Sequence, residues 1–187
     1  MAEIIIFIFS GIFIGIAAGL FGLGGGLMIV PVVTYCLVYF SYTPFDQAII
    51  IGVSTSLASM VITGAMAAYA HSKNNNVDHA IIKIFLPGLI IGSLIIGFFI
   101  ESIPGDFLKY FFIFYAFVIA YKLFKHQEAL KKSTFPNRLL SNMISFVFSI
   151  ISGIVGIGGA TLFVPFLIKN NIPPKLAIGT SSVLGFF

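Results

Sequence analysis

Residues 19–31 read GLFGLGGGLMIVP and lie within a run, 4–40, that contains no charged residue. Four glycines fall within five positions of this stretch: Gly22, Gly24, Gly25 and Gly26. Each glycine costs a helix interior about 1 kcal/mol relative to alanine, and Pro31 removes a further backbone N–H donor. Because adjacent glycines serve no single helix face, packing against a neighbour does not account for them. We therefore expect the helix to open here.

The composition places this opening inside a membrane. Of the 187 residues, 59% are hydrophobic and 9% are charged, whereas a soluble domain carries about 25% charged residues. The mean hydropathy is +1.11. A spanning helix needs about 20 apolar residues, and the apolar runs lack the alternation of barrel strands. The sequence predicts an all-α polytopic protein of the cell membrane, with apolar runs at 4–40, 47–70, 84–100, 107–121 and 139–168.

The motif occurs twice. Residues 153–165 read GIVGIGGATLFVP, and their glycines coincide with those of 19–31 at an offset of 134, apart from Gly26 against Ala160. Downstream, IGVSTS at 51–56 is echoed by IGTSS at 178–182. We predict two repeated helical halves with Gly-broken helices. The first transmembrane repeat covers 1–124, a basic linker covers 125–138, and the start of the second repeat covers 139–187. We expect the second repeat to be incomplete, because the last apolar run, 176–187, is too short to cross a bilayer.

Loop charge predicts sidedness. The loops at 71–83 and 122–138 hold seven of the ten basic residues, whereas 41–46 and 101–106 hold three acids and no lysine or arginine. Basic loops remain in the cytoplasm, so we expect 71–83 and 122–138 there. Whether 4–40 crosses once or twice stays open, and with it whether the halves are parallel or inverted. Two crossings would make them inverted and place Lys169 and Lys175 in the cytoplasm.

Glycines spaced one helical turn apart are expected to allow helix packing, unlike the clustered glycines. A stripe of small residues lets two membrane helices approach closely. This reading applies to Gly11, Gly15 and Gly19, and also to Gly88 and Gly92. We expect these glycines to be packing positions.

The clustered glycines and the hydroxyl residues that follow them form the candidate site. A broken helix frees N–H groups at the start of its second half, where the helix dipole attracts anions. Transporters pair such discontinuous helices, one from each repeat, at the bilayer midplane. A purely structural hinge remains the alternative, and hydroxyls can also bond back to helix carbonyls. The candidate substrate-binding or pathway residues are Gly22, Gly24, Gly25, Gly26, Pro31, Ser54, Thr55, Ser56, Gly156, Gly158, Gly159, Pro165, Thr180, Ser181 and Ser182.

The sequence lacks the residue patterns of proton relays, nucleotide sites, catalytic sites and metal sites. No acid lies deep in an apolar run, so no proton-relay carboxylate is visible. The phosphate-binding pattern GxxxxGK[ST] is absent, and the glycine run lacks a dinucleotide fold around it. The three histidines lie in predicted loops, and the single Cys36 cannot form an internal disulfide or a cysteine cluster. We expect no enzyme activity, cofactor, metal or nucleic acid. A channel, a non-transporting membrane protein and an enzyme completed by further sequence stay open as alternatives.

With these motifs in hand, the chain resembles the sulfite exporter TauE/SafE family of membrane transporters. The resemblance rests on GLFGLGGGLMIVP, GIVGIGGATLFVP and the following AIIIGVSTSL and AIGTSSV. It implies two related halves, a basic central loop and movement of small sulfur-containing anions such as sulfite, thiosulfate or sulfonates. The expected partners are therefore a small anionic substrate and the lipid bilayer. The sequence does not decide between a monomer and a homo-oligomer.

Overall fold

Helices build the part of the chain that the structure, a computed structural model, describes: residues 2–21, 25–124 and 137–187. Over these ranges no strand is present, so the predicted all-α class is confirmed. A short 3-10 helix, Ile100–Ser102, separates the fourth and fifth α-helices. In chain order the helices are α1 (Ala2–Phe21), α2 (Gly26–Tyr39), α3 (Phe45–Lys73), α4 (His79–Phe99), α5 (Gly105–Phe124), α6 (Arg138–Val155), α7 (Ala160–Lys169) and α8 (Pro174–Phe186).

Three stretches of helix are long and apolar enough to cross a membrane. They are Phe45–Lys73, His79–Ser102 and Arg138–Val155. Large apolar side chains also point outward, with Phe98 81% exposed and Phe13 72% exposed. Contiguous exposed apolar surface of this kind marks contact with lipid or another protein. The predicted membrane class is thus confirmed by helix length and by surface chemistry.

The connection between α3 and α4 corrects a predicted boundary. A loop was expected at 71–83, but both helices extend into it and only 74–78 connect them. His71 and Lys83 are therefore helical. The Asp78 carboxylate accepts hydrogen bonds from two amides in the first turn of α4, at 2.9 and 3.2 Å. Because these amides have no partner within the helix, the cap fixes where α4 begins.

The predicted linker lies mostly outside the described residues. Helix α5 ends at Phe124 and α6 begins at Arg138. Residues 125–136 are outside the described ranges.

Helix α4 packs closely along α6. A Cβ on Gly88 would collide with the carbonyl oxygen of Asn142, and one on Gly92 would lie 2.7 Å from that of Phe146. The Ser149 hydroxyl donates a 3.0 Å hydrogen bond across this interface to a carbonyl of α4. The packing role predicted for Gly88 and Gly92 is confirmed. Gly11 and Gly15 have no described heavy atom within 4 Å of a Cβ position, so the packing role predicted for them stays a prediction.

Helix α3 defines two ends of the molecule. At its first residues, Gly105 of α5 packs against Asp46, and the Lys109 ammonium lies 4.9 Å from the centre of the Phe45 ring. At its last residues, Gly179 of α8 packs against His71. We call these the Phe45 end and the Lys73 end.

The shorter helices run toward opposite ends. The start of α2 at Gly26 lies beside Met60 of α3, and Thr34, farther along α2, packs against Gly52. Helix α2 therefore runs from its first residues toward the Phe45 end. Helix α7 runs toward the Lys73 end, because only four residues separate its end from the start of α8, whose Gly179 packs against His71. Helix α8 is antiparallel to α3, since Gly64 lies against Phe186 while Gly179 lies against His71.

Candidate functional site

The first helix interruption lies where the glycine cluster predicts it. Helix α1 ends at Phe21 and α2 begins at Gly26. Gly22 and Gly24 lie outside the described residues. Gly25 occupies the N-cap position, and its carbonyl accepts from two amides of the first turn at 3.0 and 2.8 Å. Pro31 does not break the helix, because α2 continues through it.

The second interruption requires glycine at two positions. After α6 ends, Gly156 has φ +72° and Gly158 has φ +66°. Left-handed backbone carries a steric penalty for residues with a Cβ, so glycine is the residue that adopts it freely. Gly159 is the N-cap of α7, which then continues through Pro165. The glycines thus reverse the chain within four residues and start a new helix.

The two interruptions meet inside the fold. A Cβ on Gly26 would collide with the carbonyl oxygen of Gly156 and lie 2.5 Å from the Cα of Ile157. The buried Ser56 hydroxyl donates a 2.6 Å hydrogen bond to that same Gly156 carbonyl. A backbone group left without a partner at this depth would cost about 1–3 kcal/mol. The absence of a side chain at Gly26 therefore lets the two interruptions touch, and Ser56 ties the second one to α3.

The hydroxyl clusters divide into structural and cavity-facing residues. Thr180 is fully buried and accepts a 2.9 Å hydrogen bond from the Asp78 amide. Ser181 is also fully buried, and its hydroxyl has no hydrogen-bond partner among the described residues. In contrast, Ser54, Thr55 and Ser182 line cavities. The predicted hydroxyl set is therefore not brought to one place: Ser56 lies at the second helix interruption, whereas Thr180 lies at the Lys73 end beside the start of α4.

A smaller cavity of about 250 Å³ lies among α3, α4, α6, α7 and α8. The turn at Gly158 and Gly159, directly before α7, forms part of its wall. It extends to Ile100 and therefore toward the Phe45 end. Its hydroxyl-bearing residues are Ser54, Ser93, Ser149 and Ser152.

A larger cavity of about 860 Å³ lies among α1, α2, α3, α7 and α8. Gly25, at the start of α2, and Gly158 both line it. It extends to His71 and therefore toward the Lys73 end. Its hydroxyl-bearing residues are Ser10, Thr55, Ser59, Thr63 and Ser182.

The electrostatics of both cavities come mainly from backbone and hydroxyl dipoles. Among the described residues that line them, His71 is the single ionisable side chain. The first turns of α2 and α7 present amides that have no partner within their own helices. Such N-termini attract anions through N–H groups and the helix dipole. Within the described residues, no cluster of three or more His, Cys, Asp or Glu side chains is placed to hold a metal ion.

Sequence reasoning missed several cavity residues. Met60 lines both cavities and belongs to no recognisable sequence motif. Ser149 and Ser152 belong to a buried stripe on α6 that also includes Ser141 and Ser145, at spacings of three and four. That spacing was a readable signal for a polar helix face. Pro31 and Pro165, which were predicted to join the site, are exposed and line neither cavity.

Comparison with known proteins places this sequence in a family. The sequence profile of the sulfite exporter TauE/SafE family matches residues 7–187, nearly the whole chain. The protein belongs to the sulfite exporter TauE/SafE family. A "Probable membrane transporter protein" from Haemophilus influenzae is 32% identical over 97% of this chain and 69% of its own length.

Other TauE/SafE relatives are more distant or match locally. The "Probable membrane transporter protein YunE" of Bacillus subtilis is 27% identical over 98% of this chain and 74% of its own length. The "Sulfite exporter TauE/SafE family protein 5" of Arabidopsis thaliana is 42% identical over 34% of this chain and 14% of its own length. The chain thus spans about 70% of the length of the bacterial relatives. No solved structure matches it.

Proposed function

We propose that the protein is a secondary transporter of small anions, with sulfur oxyanions and sulfonates as the substrate class. The observation that carries the proposal is the meeting of two helix interruptions, Gly26 against Gly156, between two cavities that extend to opposite ends. Discontinuous helices that meet at membrane depth are the usual substrate site of secondary transporters. The family name and the name of the Arabidopsis relative support the sulfur-containing class.

Backbone and hydroxyl dipoles would bind the anion. Gly25 and Gly159 begin helices at the cavity walls, so their first-turn amides offer donors to an oxyanion. Ser54 on one side and Thr55 and Ser182 on the other add hydroxyl donors. Without a lysine or arginine among the described lining residues, the anion would be held by dipoles and not by a full opposite charge. Such binding is weak enough to permit release on either side.

The two sequence units would be inverted repeats. In this proposal the first repeat is 1–124, the linker is 125–138 and the second repeat begins at 139. The matching motifs IGVSTS and IGTSS lie on α3 and α8, and these helices run antiparallel. Likewise, α2 and α7 run from their glycines toward opposite ends. Rocking of one repeat against the other around the shared site would then give alternating access.

The Lys73 end would face the cytoplasm. The connection between α3 and α4 lies at this end, and the connection between α7 and α8 reaches it as well. Lys169 and Lys175 flank that connection. Basic residues are retained on the cytoplasmic side of a membrane. The larger cavity would therefore open inward and the smaller one outward, in a multi-pass protein of the plasma membrane.

Flux measurements on purified protein in liposomes test the proposal. Vesicles loaded with sulfite, thiosulfate or methanesulfonate are diluted, and efflux is followed with chloride as the negative control. A carrier would show saturation and stimulation by counter-substrate, whereas a channel would show neither. A protein that moves none of the three probes would contradict the anion-transport proposal.

A glycine variant tests the role of the break. In Gly25→Val, the nearest clash for the added Cβ is the end of the flexible Ile29 side chain at 2.9 Å, so the fold should tolerate it. Gly25 lines the larger cavity, and we expect flux to fall by about tenfold or more, as for a barrier raised by about 1.4 kcal/mol. Ala58→Val is the control, because Ala58 is exposed on α3 and lines neither cavity. Equal flux in the two variants would argue against the break as a binding element.

A further inference from the structure

We propose that Met60 is the internal gate of the transport pathway, separating the two cavities and setting the size of the anion that passes. The inference rests on the proposed transport function, which supplies the pathway that the gate would close. It adds a residue with no place in any sequence motif. Three positions line both cavities and so form the wall between them: Met60, Gly158 and Gly185. Of these, only Met60 has a side chain that can move.

The Met60 side chain lies between the two helix interruptions. A Cβ on Gly26 would come within 2.6 Å of the Met60 terminal methyl group, and a Cβ on Gly158 within 2.5 Å of its sulfur. The thioether therefore fills the space that these two glycines leave by lacking side chains. Since one glycine belongs to each interruption, Met60 is in contact with both sides of the proposed binding region.

The position of Met60 along α3 fits a central barrier. On the smaller-cavity side the lining of α3 consists of Ser54, Leu57, Met60 and Val61. The larger cavity is lined along the same helix from Thr55 to His71. Along α3 the two linings overlap between Thr55 and Val61, a stretch that includes Met60. Beyond it the larger cavity continues to His71, while the smaller one extends to Ile100 in the other direction. An anion moving from one to the other would pass the thioether.

Methionine suits a barrier that opens. Its side chain is unbranched, with three rotatable bonds, and it adapts to irregular space without backbone movement. Its thioether is a weak acceptor with no donor, so it offers an oxyanion no hydrogen bond. Met60 would thus exclude the substrate when closed and retain none of it when open. The anion would instead bind at the amides and hydroxyls on either side.

Truncation of the side chain tests the gate. Met60→Ala should join the cavities, raising efflux of a bulky probe, benzenesulfonate, by about tenfold, which corresponds to a barrier lowered by about 1.4 kcal/mol. Met60→Leu, which conserves volume, should keep the unaltered protein's preference for methanesulfonate over benzenesulfonate. The matched control is Met66→Ala, because Met66 lies on the same helix and is 68% exposed. Equal benzenesulfonate efflux from Met60→Ala and Met66→Ala would overturn the gate.

Cysteine labelling tests the same inference without transport. In a Cys36→Ala background, Met60→Cys should react with a membrane-impermeant methanethiosulfonate added to either side of the membrane. Met66→Cys should not react, because residue 66 lies on the outer surface of α3, where lipid keeps the water-soluble reagent away. A Met60→Cys thiol that reacts from one side only, or from neither, would overturn the gate. If the protein moves no anion but Met60→Cys still reacts from both sides, the proposed function fails and the position of the barrier stands.

Discussion

Replacing Gly26 with alanine probes the contact that joins the two helix interruptions. The added Cβ would collide with the Gly156 carbonyl oxygen and lie within 2.6 Å of the Met60 methyl group. The carbonyl belongs to backbone held by the buried Ser56 hydroxyl, so it cannot shift without loss of that 2.6 Å hydrogen bond. Inserting a carbon into such a packed site costs about 1–3 kcal/mol. We expect Gly26→Ala to destabilise the protein by this amount.

A second alanine variant, Gly11→Ala, is expected to change stability in the opposite direction. Gly11 lies within α1 and has no described heavy atom within 4 Å of a Cβ position. Alanine there should stabilise the helix by up to about 1 kcal/mol. The two substitutions add the same methyl group, so a difference in sign isolates the effect of packing. For a chain of this size, about 2 kcal/mol lowers the melting temperature by about 4–8 °C.

The single cysteine provides the assay. Cys36 is buried, so a thiol-reactive fluorogenic dye reports its exposure as the detergent-solubilised protein unfolds. The midpoint for Gly26→Ala should fall below that of the unaltered protein, and the midpoint for Gly11→Ala should not. An unshifted midpoint for Gly26→Ala, or an equal loss for Gly11→Ala, would refute the claim that the interruptions are in tight contact.

Two further substitutions use the same thermal assay. Ser56→Ala removes the hydrogen bond to the Gly156 carbonyl and should cost about 1–3 kcal/mol. Ser59→Ala, whose hydroxyl bonds only to a carbonyl of its own helix, should be close to neutral. An equal loss in both serine variants would argue against the cross-link. Asp78→Ala should cost about 1 kcal/mol through loss of the α4 cap, while Asp78→Asn should retain most of it because asparagine also caps helices. If Asp78→Asn loses as much as Asp78→Ala, the cap does not explain the start of α4.

Local sequence was sufficient to locate the interruptions. Clustered glycines disfavour a helix wherever they occur, and α2 and α7 each begin directly after their glycines. The prolines were weaker signals, since Pro31 and Pro165 lie inside helices that continue through them. Each proline is the sixth residue of its helix, where it removes one intrahelical hydrogen bond, and the helix tolerates that loss.

The hydroxyl cluster was found by sequence but could not be divided by it. Ser54 and Ser56 are two residues apart, yet Ser54 lines a cavity while Ser56 is buried against Gly156. Successive residues of a helix point about 100° apart, so neighbours in sequence face different partners. Which face meets a cavity depends on helices that are distant in the chain.

By itself, the sequence determined the membrane class, the helix interruptions and the recurrence of the motif. Each of these follows from composition or from local backbone propensity, which act without regard to distant residues. Only the tertiary structure decided that the interruptions touch, that Gly26 must lack a side chain, and that Met60 stands between two cavities. These facts depend on contacts between α2, α3 and the turn before α7, and such contacts form only when helices far apart in sequence pack together. The GLFGLGGGLMIVP stretch thus predicts where the helix opens, while its partner across the fold determines what the opening meets.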